Sequence, residues 1–342
     1  MKAIHIKNEH ALYVADECVL CGRCLEACPQ DAIIYVSDLK RAKKYIQEGC
    51  VTIASLDPAY LGVFGDTEKG TGQLRGALYK LGFTHIRETA EGAAHVTKAY
   101  ECLIRDGKMN NIITTSCTAI NELVEKYYTD MIPYMAPIVS PMTAHAMMLK
   151  EEFGPDVKVI YIGSCTARGR EAVRERCRGT YVDAVLDFQE LRTWLAEENI
   201  DLNTCEFYPR EGTNAMVNGL YGVSGGILAA VEADEGFGKY EQLYVDGIDS
   251  VRELFECIRK GEINNCFIEV SSCVGGCING PLAGGRESDR FKARIYTNQK
   301  IIREFPKDIP EMEEKVLLRK EFTESSRKAV IPTEEEIQEA LR

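Results

Sequence analysis

The sequence lacks the features that would direct a protein to a membrane or to nucleic acid. Its first residues, M-K-A-I-H-I-K-N, contain no apolar core like that of a signal peptide, and no uninterrupted apolar span is long enough to cross a bilayer. No basic run stands out, and the formal net charge of −12 argues against nucleic acid and anionic membranes as partners. We therefore expect a cytoplasmic protein, whose 342 residues are enough for two or three lobes with sizeable cores.

Two common nucleotide-binding signatures are also missing. The glycine-rich run at residues 222–228, G-V-S-G-G-I-L, has neither the G-x-G-x-x-G pattern nor the lysine-serine ending of a phosphate-binding loop, and we interpret it as close packing of a helix on a sheet. Cysteine, in contrast, is abundant. Because the expected compartment is reducing, 14 cysteines indicate metal ligation rather than disulfides.

Residues 18–29 contain a specific cysteine pattern. They read C-V-L-C-G-R-C-L-E-A-C-P, the C-x2-C-x2-C-x3-C-P run of bacterial ferredoxins, and predict Cys18, Cys21, Cys24 and Cys28 as ligands of 4Fe-4S clusters. In that run three closely spaced thiolates hold one cubane, and the fourth cysteine points to a second cluster. The alternative is a zinc knuckle, but zinc sites favour paired C-x2-C units that lie far apart in sequence.

A second run of this kind is missing. Cys18, Cys21 and Cys24 therefore lack a fourth ligand, and Cys28 lacks a cluster to serve. Residues 3–17 are similar to the spacer between two runs, so we expect residues 1–50 to form a small ferredoxin-like α+β domain that corresponds to half of a two-cluster module. Cys50, just before a predicted strand, is either a substitute ligand or a core residue.

Beyond residue 50, apolar strand-like runs alternate with amphipathic helices, which predicts an α/β domain with mainly parallel strands over residues 51–325. The predicted strands are residues 51–55, 112–115, 157–162 and 266–270, and the predicted helices are residues 39–48, 96–105, 122–128, 142–152, 188–197 and 251–260. Residues 326–342 are expected to form a linker or tail helix, because they contain the capping box P-T-E-E-E.

Three of the predicted strands end at cysteines. N-N-I-I-T-T-S-C ends at Cys117, V-K-V-I-Y-I-G-S-C ends at Cys165, and F-I-E-V-S-S-C-V-G-G-C reaches Cys273 and Cys277. Sites in open α/β sheets form beyond the carboxyl ends of the strands, so we expect these four thiols to meet, and four thiolates are what a cubane needs. The paired glycines allow the positive φ angles that a C-x3-C pair requires. Taken alone, that pair is equally compatible with a glycine-rich turn that holds two buried cysteines.

With these motifs the chain resembles the iron-iron hydrogenases. The three signature loops of that family match T-T-S-C-T at residues 114–118, G-S-C-T-A-R-G-R-E at 163–171 and E-V-S-S-C-V-G-G-C-I-N-G-P at 269–281. We call them the first, second and third cysteine loops. The resemblance covers most of residues 18–325 and implies two α/β lobes with a cluster in the cleft between them. The implied cofactor is a 4Fe-4S cubane joined through a cysteine to a two-iron unit with carbon monoxide, cyanide and a dithiolate bridge.

The resemblance also implies roles for individual residues. Cys117, Cys165 and Cys273 would be terminal cubane ligands, and Cys277 would be the thiolate that bridges to the two-iron unit. Arg168 stands where active relatives carry a lysine that bonds a cyanide, and arginine keeps the charge with more donors. The alternative for Arg168 is a solvated arginine at the start of a helix.

Several positions depart from the efficient members of the family. Ser116 replaces a cysteine that passes protons to the two-iron unit, and a hydroxyl is a far weaker acid than a thiol. Ser271 and Gly163 replace methionines that pack against that unit, and Ala136 occupies the place of a relay serine. This pattern resembles the sensory branch of the family, in which turnover is slow and the hydrogen level is reported to a partner.

We therefore predict an iron-iron hydrogenase of low turnover that oxidises H2 or reduces protons. Its catalytic residues would include Ser116, Arg168 and Cys277. Electrons would pass through the N-terminal cluster to a ferredoxin-like electron partner or a signalling protein. The alternative is a non-enzymatic iron-sulfur protein, active in electron transfer or cluster assembly, that keeps only 4Fe-4S clusters. A zinc protein is a third hypothesis.

Other polar residues and cysteines are given structural interpretations. His145 lies in an amphipathic helix and is expected to be structural. Glu122 and Glu171 are expected to interact with the positive ends of the helices that follow the first and second cysteine loops. The cysteines without ligand-like spacing are expected mostly in the core, and they are Cys102, Cys177, Cys205, Cys257 and Cys266.

Overall fold

The computed structural model describes most of the chain as strands and helices joined by ordered loops. The described residues are 3–7, 10–30, 32–33, 35–65, 69–175, 179–212, 216–231, 237–284, 289–301 and 318–325. Cys177 and the predicted tail helix at residues 326–342 lie outside the described residues.

The strands and helices alternate from residue 39 onward. The strands are β1 (Ile4–Lys7), β2 (His10–Tyr13), β3 (Thr52–Leu56), β4 (His85–Glu88), β5 (Ile112–Ile113), β6 (Lys158–Gly163), β7 (Ala184–Asp187), β8 (Glu241–Asp246) and β9 (Cys266–Ser271). The α-helices are α1 (Arg23–Ala27), α2 (Leu39–Gln47), α3 (Tyr60–Val63), α4 (Gly70–Lys80), α5 (Ala90–Asp106), α6 (Thr118–Tyr127), α7 (Pro141–Phe153), α8 (Arg168–Glu175), α9 (Phe188–Glu197), α10 (Gly226–Ala230), α11 (Ile248–Arg259) and α12 (Asp289–Lys300).

The described strands form one hairpin and two parallel sheets. β1 and β2 pair antiparallel, the four-stranded sheet has the order β4-β3-β6-β7, and the three-stranded sheet has the order β5-β9-β8. Every strand pair within the two larger sheets is parallel. The predicted α/β class with mainly parallel strands is therefore confirmed, and each sheet belongs to one lobe.

The four-stranded sheet is buried because helices cover both of its faces. All five residues of β3 are buried, as parallel strands with helices on both sides require. In the register of this sheet Leu56 pairs with Ile162 and with Glu88, and Gly163 pairs with Asp187. The carboxyl ends of the four strands therefore form one edge, from which the second cysteine loop leaves β6.

The three-stranded sheet is smaller and more exposed. β9 lies in its centre, where Phe267 pairs with Ile112 of β5 and with Gln242 of β8. Helices α6 and α11 pack on this sheet through a cluster of buried side chains that includes Leu123 and Phe255. The first and third cysteine loops leave the carboxyl ends of β5 and β9, so this lobe presents its loops at one edge as well.

Helix α2, predicted to lie in the small N-terminal domain, packs on the four-stranded lobe. Ala42 is fully buried in the core of that lobe, and Arg41 donates a hydrogen bond to the backbone oxygen of Asp183 at 3.4 Å. The division of the chain at residue 50 stays a prediction.

Every predicted strand or helix that falls on described residues overlaps an observed one. The pattern missed the longer elements β4, β7, β8, α4 and α12 and the short elements β1, β2, α1, α3 and α10. Among the described residues no helix combines the length and the apolar character that crossing a membrane needs.

Candidate metal centre

The three cysteine loops lie against each other between the two lobes. The second loop contacts the third through Ser164, whose Oγ donates to the backbone oxygen of Cys277 at 2.6 Å. It contacts the first through Arg168, whose Nη2 donates to the backbone oxygen of Ser116 at 2.9 Å. Loops from two different sheets are thus joined by hydrogen bonds, as expected for a site in a cleft between lobes.

The four thiols predicted as cluster ligands are close enough to affect one another's ionisation. Burial, and then the charge of Cys117, raises the pKa of Cys165 to about 11. Burial raises the pKa of Cys273, and the charges of Cys117 and Cys165 add to the effect. Burial also raises the pKa of Cys277, with further contributions from Cys273 and Cys165. Together with the hydrogen bonds that join the three loops, these effects indicate that Cys117, Cys165, Cys273 and Cys277 are neighbours. A bound cation or metal cluster would favour their thiolate forms.

These thiols are partly accessible but poorly solvated. All four cysteines retain accessible surface. At the same time, loss of solvation is the largest cause of the raised pKa values of Cys165, Cys273 and Cys277. Sulfur donors in such a setting suit an iron-sulfur cluster.

The glycine pair in the third loop has the geometry that the sequence predicts. Gly275 and Gly276 have φ values of +84° and +96°, and the Gly276 N–H donates to the backbone oxygen of Cys273 at 3.0 Å, which closes the turn between the two cysteines. A Cβ atom at Gly276 would lie 2.7 Å from the Gly222 oxygen and the Ser224 nitrogen. The run at residues 222–228 is therefore a close packing site, and its partner is the third loop.

Arg168 is buried beside the thiols, so it is not a solvated arginine. Its side chain is 7% exposed, and its charge lowers the pKa values of Cys165 and Cys277. Nη1 donates to Thr118 Oγ1 at 3.0 Å and forms an ion pair with Glu171 at 2.6 Å. Nε is buried and finds no hydrogen-bond acceptor among the described residues. The guanidinium thus holds the first and second loops together and keeps one donor available.

Glu171 lies in the first turn of α8 as expected, whereas the helix-end role expected for Glu122 is wrong because the first turn of α6 contains no acidic residue. Glu171 accepts hydrogen bonds from the hydroxyls of Thr118, Ser140 and Thr143 and pairs with Arg168. Glu122 pairs with Lys126 and with Arg174, at 3.0 and 2.7 Å. Both carboxylates are buried in a polar network between helices, which sequence spacing does not reveal because the partners come from separate elements.

Ser116, predicted at the proton-transfer position, contacts a buried tyrosine. Its Oγ lies 3.3 Å from the Tyr100 hydroxyl, which also accepts a hydrogen bond from the Thr115 N–H at 3.0 Å. Burial raises the pKa of Tyr100. Both hydroxyls therefore hold their protons strongly, and Ser116 keeps some accessible surface toward the site.

Sequence reasoning missed two residues of the site, Asp57 and Tyr161. The Tyr161 hydroxyl donates to Asp57 Oδ2, and the guanidinium carbon of Arg168 lies 5.9 Å from the centre of the Tyr161 ring. Asp57 also raises the pKa of Cys277. A Cβ atom at Gly163 would lie 2.7 Å from the Tyr161 hydroxyl, so the tyrosine occupies the space that a side chain at residue 163 would need.

The N-terminal thiols Cys18, Cys21 and Cys24 form a second group. Burial and the charges of Cys18 and Cys24 raise the pKa of Cys21. Tyr13 lies near the same thiols. Burial, a hydrogen bond with Cys18 and the charges of Cys18 and Cys24 raise the pKa of Tyr13 to about 12. Three of the four predicted N-terminal ligands are therefore neighbours.

The N-terminal cysteine loop contacts both the second and the third loop. Thr166 Oγ1 donates to the backbone oxygen of Leu20 at 2.6 Å. At Gly22, which has a φ of +73°, a Cβ atom would overlap the ring of Pro281. Helix α6 also holds the segment, since Lys126 Nζ donates to the Cys18 backbone oxygen at 2.8 Å. The two groups of thiols thus belong to one packed structure.

Cys28 lies on the wall of a cavity of about 1340 Å³. Cys21 and Cys273 line the same cavity, so it borders both groups of thiols. Cys50 follows α2, and its N–H donates to the Tyr45 backbone oxygen at 3.0 Å. No described contact joins Cys50 to Cys18, Cys21 or Cys24, and its role as a substitute ligand stays a prediction.

The described residues contain no group of three or more His, Cys, Asp or Glu side chains arranged around one metal ion. A tetrahedral zinc site holds its sulfurs within about 4 Å of one another, whereas each thiolate of a cubane binds a different iron. The donor chemistry and the adjacent guanidinium fit a cubane at Cys117, Cys165, Cys273 and Cys277.

The prediction that most of the remaining cysteines lie in the core is wrong for the described ones. Cys205 is 5% exposed in the core of the four-stranded lobe, but Cys102, Cys257 and Cys266 are partly exposed on α5, α11 and β9. His145 is fully buried, and its Nδ1 lies 2.7 Å from Ser55 Oγ, in agreement with a structural role.

Comparison with known families agrees with this arrangement. A family model described as the iron-only hydrogenase large subunit, C-terminal domain, matches residues 51–281. A model of the 4Fe-4S binding domain matches residues 11–34. Iron hydrogenase 1 of Clostridium pasteurianum is 25% identical over 258 residues, which are 61% of this chain and 45% of that protein. The chain therefore spans less than half the length of this curated relative.

Solved structures share the fold. A structure of HydA from work on stepwise H-cluster assembly in FeFe-hydrogenase covers 85% of this chain and 100% of its own, with a TM-score of 0.69 and 17% identity. A variant of FeFe-hydrogenase HydA1 from Chlamydomonas reinhardtii has the same coverage and identity, with a TM-score of 0.68. At this identity the likeness confirms the predicted two-lobed α/β architecture.

Proposed function

Because the chain belongs to the iron-only hydrogenase family, we propose that it interconverts H2 with protons and electrons at a low rate. The observation that carries the proposal is that three strand ends bring three cysteine loops together, where Ser164 bonds the third loop and Arg168 bonds the first. The four thiols on these loops support a 4Fe-4S cubane, since each of four thiolates can bind one iron.

In this proposal each thiol of the centre has its own role. Cys117, Cys165 and Cys273 hold the cubane, and Cys277 holds the cubane and a two-iron unit at once. When bound, the two-iron unit would supply a redox-active metal at which the H–H bond is split heterolytically. Because one thiolate is a weak anchor, shape and hydrogen bonds from the surrounding residues must fix that unit.

Arg168 is the residue that orients and stabilises the bound group. Its charge lies near Cys165 and Cys277, and its ion pair with Glu171 fixes the guanidinium in one position. The unpartnered Nε is a donor for an anionic ligand of the two-iron unit. The charge also offsets the negative charge of four thiolates in a site that excludes water.

Ser116 and Tyr100 support the low rate. Ser116 Oγ would hold a proton next to the site, with the Tyr100 hydroxyl as its neighbour at 3.3 Å. Neither group releases a proton readily near neutral pH, since a serine hydroxyl is a weak acid and burial raises the pKa of Tyr100. Proton transfer through these groups is therefore slow in comparison with a thiol.

The N-terminal segment is the proposed electron path. Cys18, Cys21 and Cys24 hold a second 4Fe-4S cluster in this proposal, and their loop contacts the second and third cysteine loops directly. The segment would exchange electrons with a ferredoxin-like protein or with a signalling partner that responds to the hydrogen level. A sensory role follows from the low rate, because a slow site reports on H2 without consuming much of it.

One observation favours a second function, an iron-sulfur protein that keeps cubanes but binds no two-iron unit. Tyr161 and Asp57 fill part of the space near Cys277 that the glycine at residue 163 leaves open. A cubane alone would serve in electron transfer or cluster assembly.

Infrared spectra of the matured protein separate the two functions. The hydrogenase proposal requires bands of iron-bound carbon monoxide and cyanide, together with slow uptake or evolution of H2. Iron and sulfide in cubane proportions without those bands would support the second function. Zinc in place of iron would contradict both.

Replacing Ser116 by cysteine is expected to raise H2 turnover about tenfold or more, because a thiol transfers protons at neutral pH better than a hydroxyl. The measurement compares H2 evolution of the variant and the unsubstituted protein at equal iron content. Ser250→Cys is the matched control, since it adds a thiol at an exposed position of α11. Equal turnover for Ser116→Cys and the unsubstituted protein would show that proton transfer at this position is not the slow step.

A further inference from the structure

Asp57 lies at the same sheet edge as the second cysteine loop. Its N–H donates to the Ile162 backbone oxygen at 2.9 Å, which continues the pairing of β3 with β6 by one residue. Three residues further along, β6 has passed into the second loop at Cys165. The side chain of Asp57 is buried, with 6% of the residue exposed. A buried acidic group therefore stands at the edge from which one of the cluster ligands projects.

Both carboxylate oxygens of Asp57 accept hydrogen bonds. Oδ1 accepts from the Ala59 N–H at 2.8 Å, and Oδ2 accepts from the Tyr161 hydroxyl. Tyr161 is fully buried, and both its burial and the charge of Asp57 raise its pKa, so it remains a donor. These two donors hold the carboxylate of Asp57 in one orientation. Tyr161 thereby fixes the position of a negative charge.

This charge lies close to the thiols of the proposed cluster. The ring of Tyr161, whose hydroxyl donates to Asp57, lies 5.9 Å from the guanidinium carbon of Arg168, and Arg168 follows Cys165 by three residues in the second cysteine loop. In keeping with this geometry, Asp57 adds to the effect of burial in raising the pKa values of Cys277 and Cys165, and Arg168 acts on both in the opposite sense. Glu171 is a second buried carboxylate, but it is paired with Arg168, whereas Asp57 lies outside the three cysteine motifs.

We propose that Asp57, held in place by Tyr161, is a positioning residue that lowers the reduction potential of the cubane on Cys117, Cys165, Cys273 and Cys277. The inference rests on the proposed function only in requiring that cubane. Reduction adds one electron to a cluster that already carries negative charge, and a nearby buried carboxylate opposes that addition. In the test described below dithionite supplies the electron, and in the proposed function the N-terminal cluster supplies it.

The test is a redox titration of the full chain reconstituted with iron and sulfide, with the reduced cubane followed by electron paramagnetic resonance. Asp57→Asn keeps the shape and removes the charge, and we expect about a tenfold increase in the reduction equilibrium constant, which is about 59 mV toward positive potential for one electron. Tyr161→Phe keeps the charge and is expected to stay closer to the unsubstituted protein than Asp57→Asn does. Misfolding alone would not make the reduction potential of Asp57→Asn more positive while leaving that of Tyr161→Phe close to the unsubstituted protein.

The control is a buried carboxylate at the opposite edge of the same sheet. Asp183 precedes β7 and accepts hydrogen bonds from Lys150 Nζ and the Val159 N–H. Because β6 runs between Val159 and the second cysteine loop, its length places Asp183 about 20 Å from the cysteine loops. Asp183→Asn is expected to leave the potential unchanged, as is the N-terminal cluster in every variant.

An unchanged or more negative potential in Asp57→Asn would overturn the inference while leaving the proposed function intact. If that variant fails to bind the cubane, Asp57→Ser is titrated with the same expectation. If the unsubstituted chain binds no cubane at the four cysteines, the proposed function fails and this inference fails with it.

Discussion

Replacement of Cys273 by alanine is expected to remove about four iron atoms and four sulfides per chain, and to reduce H2 turnover to background. Cys273 is one of the four thiols of the candidate centre, and the charges of Cys117 and Cys165 act on it. Loss of one terminal thiolate leaves an iron of the cubane without a protein ligand. The N-terminal cluster belongs to a separate group of thiols and should remain. Iron and sulfide analysis of the reconstituted protein, with paramagnetic resonance of the remaining cluster, measures the loss.

The same strand supplies a matched control. Cys266 begins β9, whereas Cys273 follows its carboxyl end, so the two cysteines flank one strand of six residues. Cys266→Ala removes a partly exposed thiol far from the site and is expected to keep the full iron content. An equal loss of iron in both variants would indicate general misfolding, and full retention in Cys273→Ala would remove this cysteine from the ligand set.

The metal centre was predictable from sequence where the signals are local. An apolar run of strand length followed directly by a cysteine fixes the thiol at a strand end, and parallel strands present their carboxyl ends at one edge. Three such runs therefore predicted that Cys117, Cys165 and the pair at residues 273 and 277 would meet. The positive φ of Gly276 was predictable for the same reason, since a C-x3-C turn requires it.

Elements stabilised by tertiary packing were not predictable in this way. Helix α4 contains glycines at residues 70, 72 and 76, which lower helix propensity. These glycines allow close approach instead: a Cβ atom at Gly72 would overlap the Phe207 ring, and one at Gly76 would overlap the Glu206 backbone. Strand β8 was missed because it is an edge strand with mostly exposed or half-exposed residues, so its hydrophobic pattern is weak.

The polar residues around the thiols were the least predictable part of the site. Asp57 precedes a proline, and in sequence this pair indicates only a turn. The role proposed for Asp57 depends on Tyr161, which lies on a different strand. Arg168 follows the second-loop cysteine by three residues, which gives its location but not its burial. Arg168 is buried because it bonds Ser116 and Thr118 of the first loop and Glu171 of α8, and only the packed structure brings these partners together.

Replacement of Arg168 by methionine is expected to lower the free energy of unfolding by about 3–5 kcal/mol at pH 7, because it leaves the buried carboxylate of Glu171 without its counter-ion. Arg168→Lys keeps the charge but not the fork of donors, and we expect it to recover part of the loss. The measurement is anaerobic urea unfolding followed by circular dichroism. Arg41→Met, which removes a 41% exposed arginine paired with Asp38, is the control and should change stability by less than about 0.5 kcal/mol.

The pH dependence identifies the cause of that loss. Burial alone would raise the pKa of Glu171 above its ordinary value of 4.5. In the folded protein Arg168, Lys320 and the hydroxyls of Ser140 and Thr118 outweigh this effect and lower the pKa to about 2. A carboxyl with a depressed folded pKa contributes stability that is present above pH 4.5 and is lost as pH falls toward 2. Without Arg168 the folded pKa rises, so the stability of Arg168→Met should decline less over this range than that of the unsubstituted protein. A parallel decline in both proteins would mean that the ion pair is not what stabilises the first and second cysteine loops, and that Arg168 acts there through its hydrogen bonds to Ser116 and Thr118 alone.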